Sequence, residues 1–451
     1  MTVQLRIEQL RHRLASPDLL PRLEKLAGDA PASAPLSLHL DLGKLDTDWL
    51  HLLPAHGTFW YRARPAEQEF RLGIGQALHL SSAGRNRFAA LDGAYAGFCQ
   101  QWRSEAQALA FAGFAFDISN DTPLPNALLA IPAILLENLN GRCSATLSTP
   151  AGRIRHAAAD WLHYLNIPST SLQQTELMGT HPDVLPERAW IARVNAALRD
   201  IKAGRVDKIV LSRNRKFSAN QAFSPARILG RLIEQQQDSL IYAHGNGQQT
   251  FLGATPERLI HLQGEQLSAD ALAGTAWPGS TELAGLKNQH EQSLVVRAVC
   301  EALRPLCLLP PQISRAEEHP AGHLMHLRSK ITAKVQTGTT LFDLIRALHP
   351  TPAVGGFPVS AALDWLTTHG ERRPGWYSGG FGILTPDGNG EFSVALRSAL
   401  LNGNSAELQA GAGIVAGSDP QQELAETEAK LGTLLAALSP TMLADKTGTI
   451  G

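Results

Sequence analysis

A lysine and a glutamate set into apolar strand patterns are the residues of this chain best suited to move protons. In VDKIVLSR, alternate side chains share a face: Val206, Lys208, Val210 and Ser212 lie on one side, Ile209 and Leu211 on the other. Both faces are partly apolar, so the strand is expected to be buried. Burial strips water from an ammonium group and lowers its pKa from about 10.4. A neutral amine can then take a proton from water. The competing reading is a lysine paired with a carboxylate, or one snorkelling at the strand's end. Glu257 lies in FLGATPERLI, where Pro256 interrupts a strand pattern as at an edge or bulge. Such breaks re-aim side chains, and a carboxyl group in a poor dielectric stays protonated and can act as an acid. A surface glutamate beside Arg258 would fit the same letters.

Carboxylates and an arginine add binding chemistry. Glu291 begins a helix in LKNQHEQSLVV, with Leu294, Val295 and Ala298 on its own face, so its carboxylate points where a core should be. Glu426 lies in SDPQQELAETEAKLGTLLAAL, where Asp419 suits the N-cap, Pro420 the first helical position, and Gln422 a capping-box-like place. Glu423, Glu426 and Lys430 share one face of that helix; Leu424, Leu431, Leu435 and Leu438 form the other. Hard carboxylate oxygens from two helices are what Mg2+ accepts, with waters and substrate oxygens completing its octahedron. A solvated face with an internal Glu–Lys pair is the alternative. Arg397, in EFSVALRSALL, shares a strand face with the small residues Ser393, Ala395 and Ala399. That leaves room for a ligand whose carboxylate an arginine can clamp. Gly411 and Gly413, in AGAGIVAGSDP, bring backbone close to whatever sits there, and their N–H groups could bind an anion.

These residues need elements to carry them. Ile191, Val194, Leu198 and Ile201 follow helical spacing, with Gly204 placed to end the helix before the Lys208 strand begins. Next come a helix over 224–236, a hairpin-like pair over 240–244 and 250–261, and a helix over 288–303. A strand over 329–336 and a helix over 341–348 follow. YSGGFGIL and EFSVALRSALL flank DGNG as two long hairpin strands, and SAELQAGAGIV leads into the last helix. The first 150 residues are less informative. They predict an amphipathic helix from Val3, Ile7, Leu10 and Leu14, and two strands around a charged turn over 60–80. A helix over 91–102 and strands over 110–118 and 133–139 are also predicted there, while 150–185 is mixed. Strands joined mostly by hairpins, with helices interspersed, predict an α+β fold of large antiparallel sheets covered by helices.

Composition narrows the classes. The chain has 451 residues, 44% hydrophobic and 18% charged, enough for a sizeable core. A net charge of −1 provides no field for nucleic acid or an anionic membrane surface. Cys99, Cys143, Cys300 and Cys307 show no metal-ligand spacing and are expected to be reduced thiols, as in a cytoplasmic protein. Arginines interrupt the apolar runs of the N-terminus, unlike a signal peptide, and no transmembrane helix is expected.

The segments VDKIVLSR, FLGATPERL, ALAGT, KNQHEQSLVV, HLMHLRSKI, HPTPAVGGFP, WYSGGFG, VALRSA and AGAGIVAGSDPQQELAETEAK, in this order, resemble the chorismate-utilising enzymes. That family includes isochorismate synthases, salicylate synthases, anthranilate synthase and aminodeoxychorismate synthase. The resemblance runs from about residue 186 to 438, the expected catalytic region. Residues 1–150 would be the N-terminal part of the same sheet unit, more loosely similar to the menaquinone-pathway isochorismate synthases around Phe59 to Gly75. The resemblance implies a single α+β unit with two large antiparallel sheets flanked by helices. It implies Lys208 as the base that activates water and Glu257 as the acid that protonates the departing hydroxyl. Glu291 and Glu426 are the implied Mg2+ ligands, with Glu423 a further acidic position beside the metal. Arg397, Lys430 and the backbone of Gly411 and Gly413 would bind substrate carboxylates, and Thr275, His326 and Tyr377 would line the pocket. The implied reaction is conversion of chorismate to isochorismate, which could feed menaquinone or siderophore synthesis. A salicylate synthase, which also expels pyruvate, shares nearly all these motifs; a non-catalytic chorismate-binding homologue is the third reading. Ala273 stands before Gly274-Thr275 where aminodeoxychorismate synthase has a nucleophilic lysine, so that covalent route is not implied. No obligatory glutamine amidotransferase subunit is expected.

Overall fold

Alternation of apolar side chains along the strands gives each sheet a face to cover, and the architecture follows from covering both faces of two sheets. The computed structural model describes residues 3–118, 124–170, 175–180, 187–321 and 324–439. A sheet of 13 strands runs from Leu177–Thr180 through Lys208–Ala219, Ser405–Val415, Ser398–Asn402, Gln249–Thr255, Leu240–Asn246, Thr58–Arg64, Glu69–Ile74, Ile134–Leu139, Arg142–Pro150 and Pro35–Lys44 to Arg103–Ser104, with Gly356–Phe357 beside Lys208–Ala219. A second sheet of 10 strands includes Leu324–Lys334, Gln266–Ala276, Arg258–Gln263, Gly390–Val394, Gly380–Leu384, Ala110–Phe114, Ala127–Ile131 and Leu78–Ser82. The expected antiparallel pairing holds throughout, except that Arg103–Ser104 lies parallel to Pro35–Lys44. Residues before 151 supply strands to both sheets.

The strand Thr58–Arg64 shows the layering. Phe59, Tyr61 and Ala63 pack with Leu10, Leu23, Trp161, Leu229 and Leu434 of the helices outside the first sheet. Trp60, between them, points the other way and stacks on Phe111 of the second sheet with ring centroids 5.6 Å apart. Trp60, Phe111, Tyr242, Phe251, Trp376 and Phe381 form the apolar filling between the sheets. A third cluster joins the outer face of the second sheet to the helices Arg87–Gln101, Leu286–Leu303 and Leu341–Leu348, and Ile209, Leu211, Ala412 and Ile414 of the first sheet to the helix Glu187–Lys202. Each fully buried large side chain contributes roughly 1.5–3 kcal/mol.

Two predicted long strands are each broken in two. Gln249–Thr255 belongs to the first sheet and Arg258–Gln263 to the second, with Pro256 and Glu257 in the step between. Gly390–Val394 belongs to the second sheet and Ser398–Asn402 to the first, and Arg397 in that step has φ of 48°. The steps brace each other: Val394 N donates to Glu257 O at 3.0 Å and Ala254 N to Arg397 O at 3.3 Å. Pro256 marks the first step as a break, but alternation alone does not show that the halves join different sheets, and nothing local marks the second step. The region over 60–80 likewise holds a hairpin in the first sheet and the start of a strand in the second. The mixed stretch after residue 150 holds the helix Ile154–Asn166. The helices around the Lys208 strand and after Asp419 lie where expected: Gly204 has φ of 70°, and the Asp419 carboxylate accepts from Gln421 N and Gln422 N.

Candidate active site

A cavity of about 700 Å³, counting its open mouth, lies where the sheet steps leave space between the two sheets. Lys208 reaches it from the first sheet, on the face opposite Ile209 and Leu211, which join the core. Glu257 and Arg397 reach it from the two steps, and Thr275 and His326 from the second sheet. Glu291 comes from the helix Leu286–Leu303, and Glu426 and Lys430 from Pro420–Leu438. Tyr377, Gly411 and Gly413 complete the set expected from the sequence. Glu423 alone of that set does not line the cavity; it is 2% exposed and ion-paired to Lys287 at 2.7 Å.

Lys208 is 1% exposed, and its Nζ lies 2.7 Å from Glu291 Oε1, so the lysine is carboxylate-paired. Gly413 makes room for this pair. A Cβ there would lie 2.6 Å from Glu291 Oε1 and 2.8 Å from Lys208 Cε. A Cβ on Gly411 would lie 2.9 Å from the Tyr377 hydroxyl. The strand Ser398–Asn402 pairs only with residues 405–409 of Ser405–Val415, so the edge beyond Gln409 has no strand partner on that side. On that edge the Gly411 carbonyl accepts from Lys430 Nζ at 2.9 Å. Lys430 also pairs with Glu426 Oε1 at 2.6 Å, and Thr275 Oγ1 donates to the same oxygen at 3.2 Å. The Glu–Lys pair allowed as a bland reading of this helix is present, and it lines the cavity.

A bulge places the Thr275 side. Pairing between Gln266–Ala276 and Leu324–Lys334 shifts between Ala273 and Ala276, and Gly274 adopts φ of 68°. This frees Gly274 N to donate to Glu291 Oε2 at 3.3 Å and Gly274 O to accept from His326 Nδ1 at 2.8 Å. With its proton on Nδ1, His326 offers Nε2 to Arg397 Nη2 at 2.9 Å. Burial holds His326 well below the usual histidine range, assisted by Arg397, so the ring is neutral and acts as an acceptor. Arg397 also donates to Ala321 O, and burial lowers it to about 10 while Glu426 opposes the shift.

Glu257 is 3% exposed, and among the described residues nothing hydrogen-bonds its carboxyl group. Burial raises its pKa to about 8, with Asp270 adding to the rise and Lys208 and Lys430 opposing it. The group is therefore a carboxylic acid at neutral pH, able to give a proton. Glu423 is also raised, by burial and then by Glu426, while Lys287 opposes.

Sequence reasoning did not single out Lys287, Ser378 or Gln409. Lys287 lies four residues before Glu291, one helical turn, which was a usable signal. Ser378 and Gln409 line the cavity without any local pattern to mark them. Glu371 and Arg373 act behind the Lys208 strand. Glu371 Oε1 accepts from Ser212 N at 2.9 Å, and Arg373 donates to Val210 O at 2.7 Å and Val354 O at 2.6 Å.

Among the described residues no group of three or more His, Cys, Asp or Glu side chains is gathered closely enough to enclose a metal ion. Among the described residues no helix is long and apolar enough to cross a membrane. All four cysteines are free thiols.

A family model described as "Chorismate binding enzyme" matches residues 34–439. The chain is 37% identical over 266 residues to the salicylate biosynthesis isochorismate synthase of Pseudomonas aeruginosa, covering 56% of this chain and 55% of that protein. It is 29% identical over 411 residues to the isochorismate synthase MenF of Escherichia coli, covering 86% and 89% of the two chains. The solved structure of MenF, the menaquinone-specific isochorismate synthase from Escherichia coli, superimposes with a TM-score of 0.79 at 23% identity, covering 93% of this chain and 99% of that one. For three of the curated relatives, the aligned part of the chain spans only 55% to 60% of their length.

Proposed function

The chain belongs to the family of chorismate-binding enzymes, and from that premise we propose that it is an isochorismate synthase, moving the ring hydroxyl of chorismate by addition of water and loss of hydroxide. The observation that carries this reading is a buried, protonated Glu257 and a buried Lys208 facing one cavity from different elements. Hydroxyl transposition needs both a proton acceptor for the attacking water and a proton donor for the departing hydroxide. Ala273, not lysine, lines the cavity before Gly274, which leaves no amine there for a covalent route.

Arg397 presents its guanidinium to a substrate carboxylate, and Lys430 with the free edge at Gly411 and Gly413 receives another anionic group. Thr275, His326 and Tyr377 shape the walls. Glu257 donates its proton to the hydroxyl that leaves, and Lys208 takes one from the water that attacks. The donor set suits Mg2+: Glu291 and Glu426 bring hard oxygens from two helices to one cavity, with Glu423 adjacent. One or two carboxylates are what Mg2+ takes from a protein when waters and substrate oxygens fill its other positions. Bound there, the ion would neutralise carboxylate charge on the substrate. Glu291 serves both arrangements; once it is engaged elsewhere, Lys208 loses its one ion-pair partner among the described residues.

In this reading residues 186–438 form the catalytic region and residues 1–150 part of the same sheet unit. The enzyme works in the cytoplasm, without a glutamine amidotransferase subunit. Incubation with chorismate and Mg2+ near neutral pH, followed by chromatography, tests the assignment. The expected result is a mixture of chorismate and isochorismate reached from either side. Salicylate with stoichiometric pyruvate as main products, or no conversion, would overturn it.

A further inference from the structure

Glu257 lines the first cavity, and its chain neighbour Pro256 also borders a second. Beyond Pro256, which borders both, lies a polar cavity of about 610 Å³ whose lining includes Thr255, Asp270, His319, Arg328 and Lys330. It occupies the same space between the sheets. Asp270 and Leu272 alternate along one strand and so share a face; Leu272 lines the first cavity and Asp270 the second. His319 and His326 are direct cross-strand partners, one on each cavity. Among the described residues the side chains of Asp270, His319, Arg328 and Lys330 make no hydrogen bond or ion pair, and with Lys330 exposed and the other three half-buried the cavity opens to solvent.

The second cavity meets a need that the reaction proposed above creates. In each turnover a proton passes from water to Lys208, and another from Glu257 to the departing hydroxide. Lys208 ends with one proton more and Glu257 with one fewer, and both must be reset. The two side chains are 1% and 3% exposed, and Glu257 has no protein partner to return the proton. While product fills the first cavity, the second is the other polar space near Glu257, bordered by its neighbour Pro256 and by Asp270, which acts on its charge.

We propose that the polar cavity behind Pro256 is the path by which Glu257 regains its proton from solvent, with Asp270 and His319 as the relaying groups. The inference rests on the isochorismate synthase reading. One proton enters from water for each turnover, Lys208 releases one, and the balance is zero. A neutral imidazole can accept a proton on one nitrogen and release one from the other. Burial, with Arg328 beside it, keeps His319 neutral, while Asp270 and Asp238 oppose that shift. The charged groups acting on Glu257 itself are Lys208, Asp270 and Lys430.

Rapid-quench measurement of the first turnover, beside steady-state turnover, distinguishes a relay from a structural role. In Asp270→Asn and His319→Phe the first turnover should stay within about twofold of wild type. Steady-state kcat should fall on the order of 10²-fold, the low end for a group in proton transfer, and added imidazole buffer should restore part of it. Equal loss in both phases without buffer rescue, or no loss in either, would overturn the proposal. A second arm needs no turnover: the deuterium-exchange rate of the Glu257 carboxyl band, read as an infrared difference between wild type and Glu257→Gln. Slower exchange in the two variants supports the path, and an unchanged rate overturns it. If wild type fails to convert chorismate, the functional reading falls while this arm still reports on the path.

Discussion

Replacing Glu257 by glutamine should make the protein more stable while removing most of its activity. The carboxyl group has an ordinary pKa of 4.5, raised by burial to about 8 in the fold. Between those values the folded protein holds a proton that the unfolded chain has released, so Glu257 lowers stability progressively as pH rises through this window. From 4.5 to 7 is two and a half pH units, and at about 1.4 kcal/mol each the cost at pH 7 is ~3 kcal/mol. Glutamine keeps the shape and never ionises. The variant should therefore unfold at a higher urea concentration than wild type at pH 7, by an increment equivalent to ~3 kcal/mol. The advantage should shrink to under ~1 kcal/mol at pH 5, only half a pH unit above the unfolded-chain value. In parallel, kcat should fall on the order of 10²-fold, the usual scale for a general acid. Wild-type kcat/KM should decline tenfold per pH unit above about 8, and the variant's residual activity should lack that limb. Equal differences in urea midpoint at pH 5 and pH 7, or normal turnover in the variant, would refute the reasoning.

Lys208→Ala should lose on the order of 10²-fold or more in kcat with little change in circular dichroism; near-normal turnover would mean that another group accepts the proton. Chelation should abolish activity and Mg2+ restore it, and Glu426→Gln should raise the Mg2+ concentration needed for half-maximal rate; full activity in excess chelator would dismiss the ion. Gly413→Ala places a Cβ 2.6 Å from Glu291 Oε1 and should push the Lys208–Glu291 pair apart, lowering kcat on the order of 10²-fold, the scale of an ångström-sized misplacement. Gly93→Ala, inside the helix Arg87–Gln101 with nothing near its added Cβ, should instead raise stability by ~0.5–1 kcal/mol in urea titration, with unchanged kinetics.

Much of the architecture was legible because local signals and final structure agree. The helix Leu341–Leu348, the strand Ser405–Val415 and the capped helix Pro420–Leu438 lie where caps, turns and periodicity place them. The residue types of the site were legible too. A lysine in a buried strand, a glutamate at a proline break, and carboxylates on helix faces are local facts, and their order along the chain carried the family resemblance.

What the sequence by itself determined was therefore which residues are present, on which faces, and in what kind of element. Their meeting was decided by tertiary structure. Glu257 and Arg397 enter the cavity because the chain steps from one sheet to the other at Pro256–Glu257 and at Ala395–Arg397. At Arg397 no residue marks the step, and at Pro256 the proline marks a break but not the change of sheet, because alternation does not say which sheet a strand joins. The pairing of Lys208 with Glu291, and of Lys287 with Glu423, joins residues more than eighty positions apart in sequence. Burial at those distances depends on the packing of the whole fold. The same holds for Glu257: its letters allow a surface carboxylate, and only the enclosing sheets remove the water that would keep it ionised.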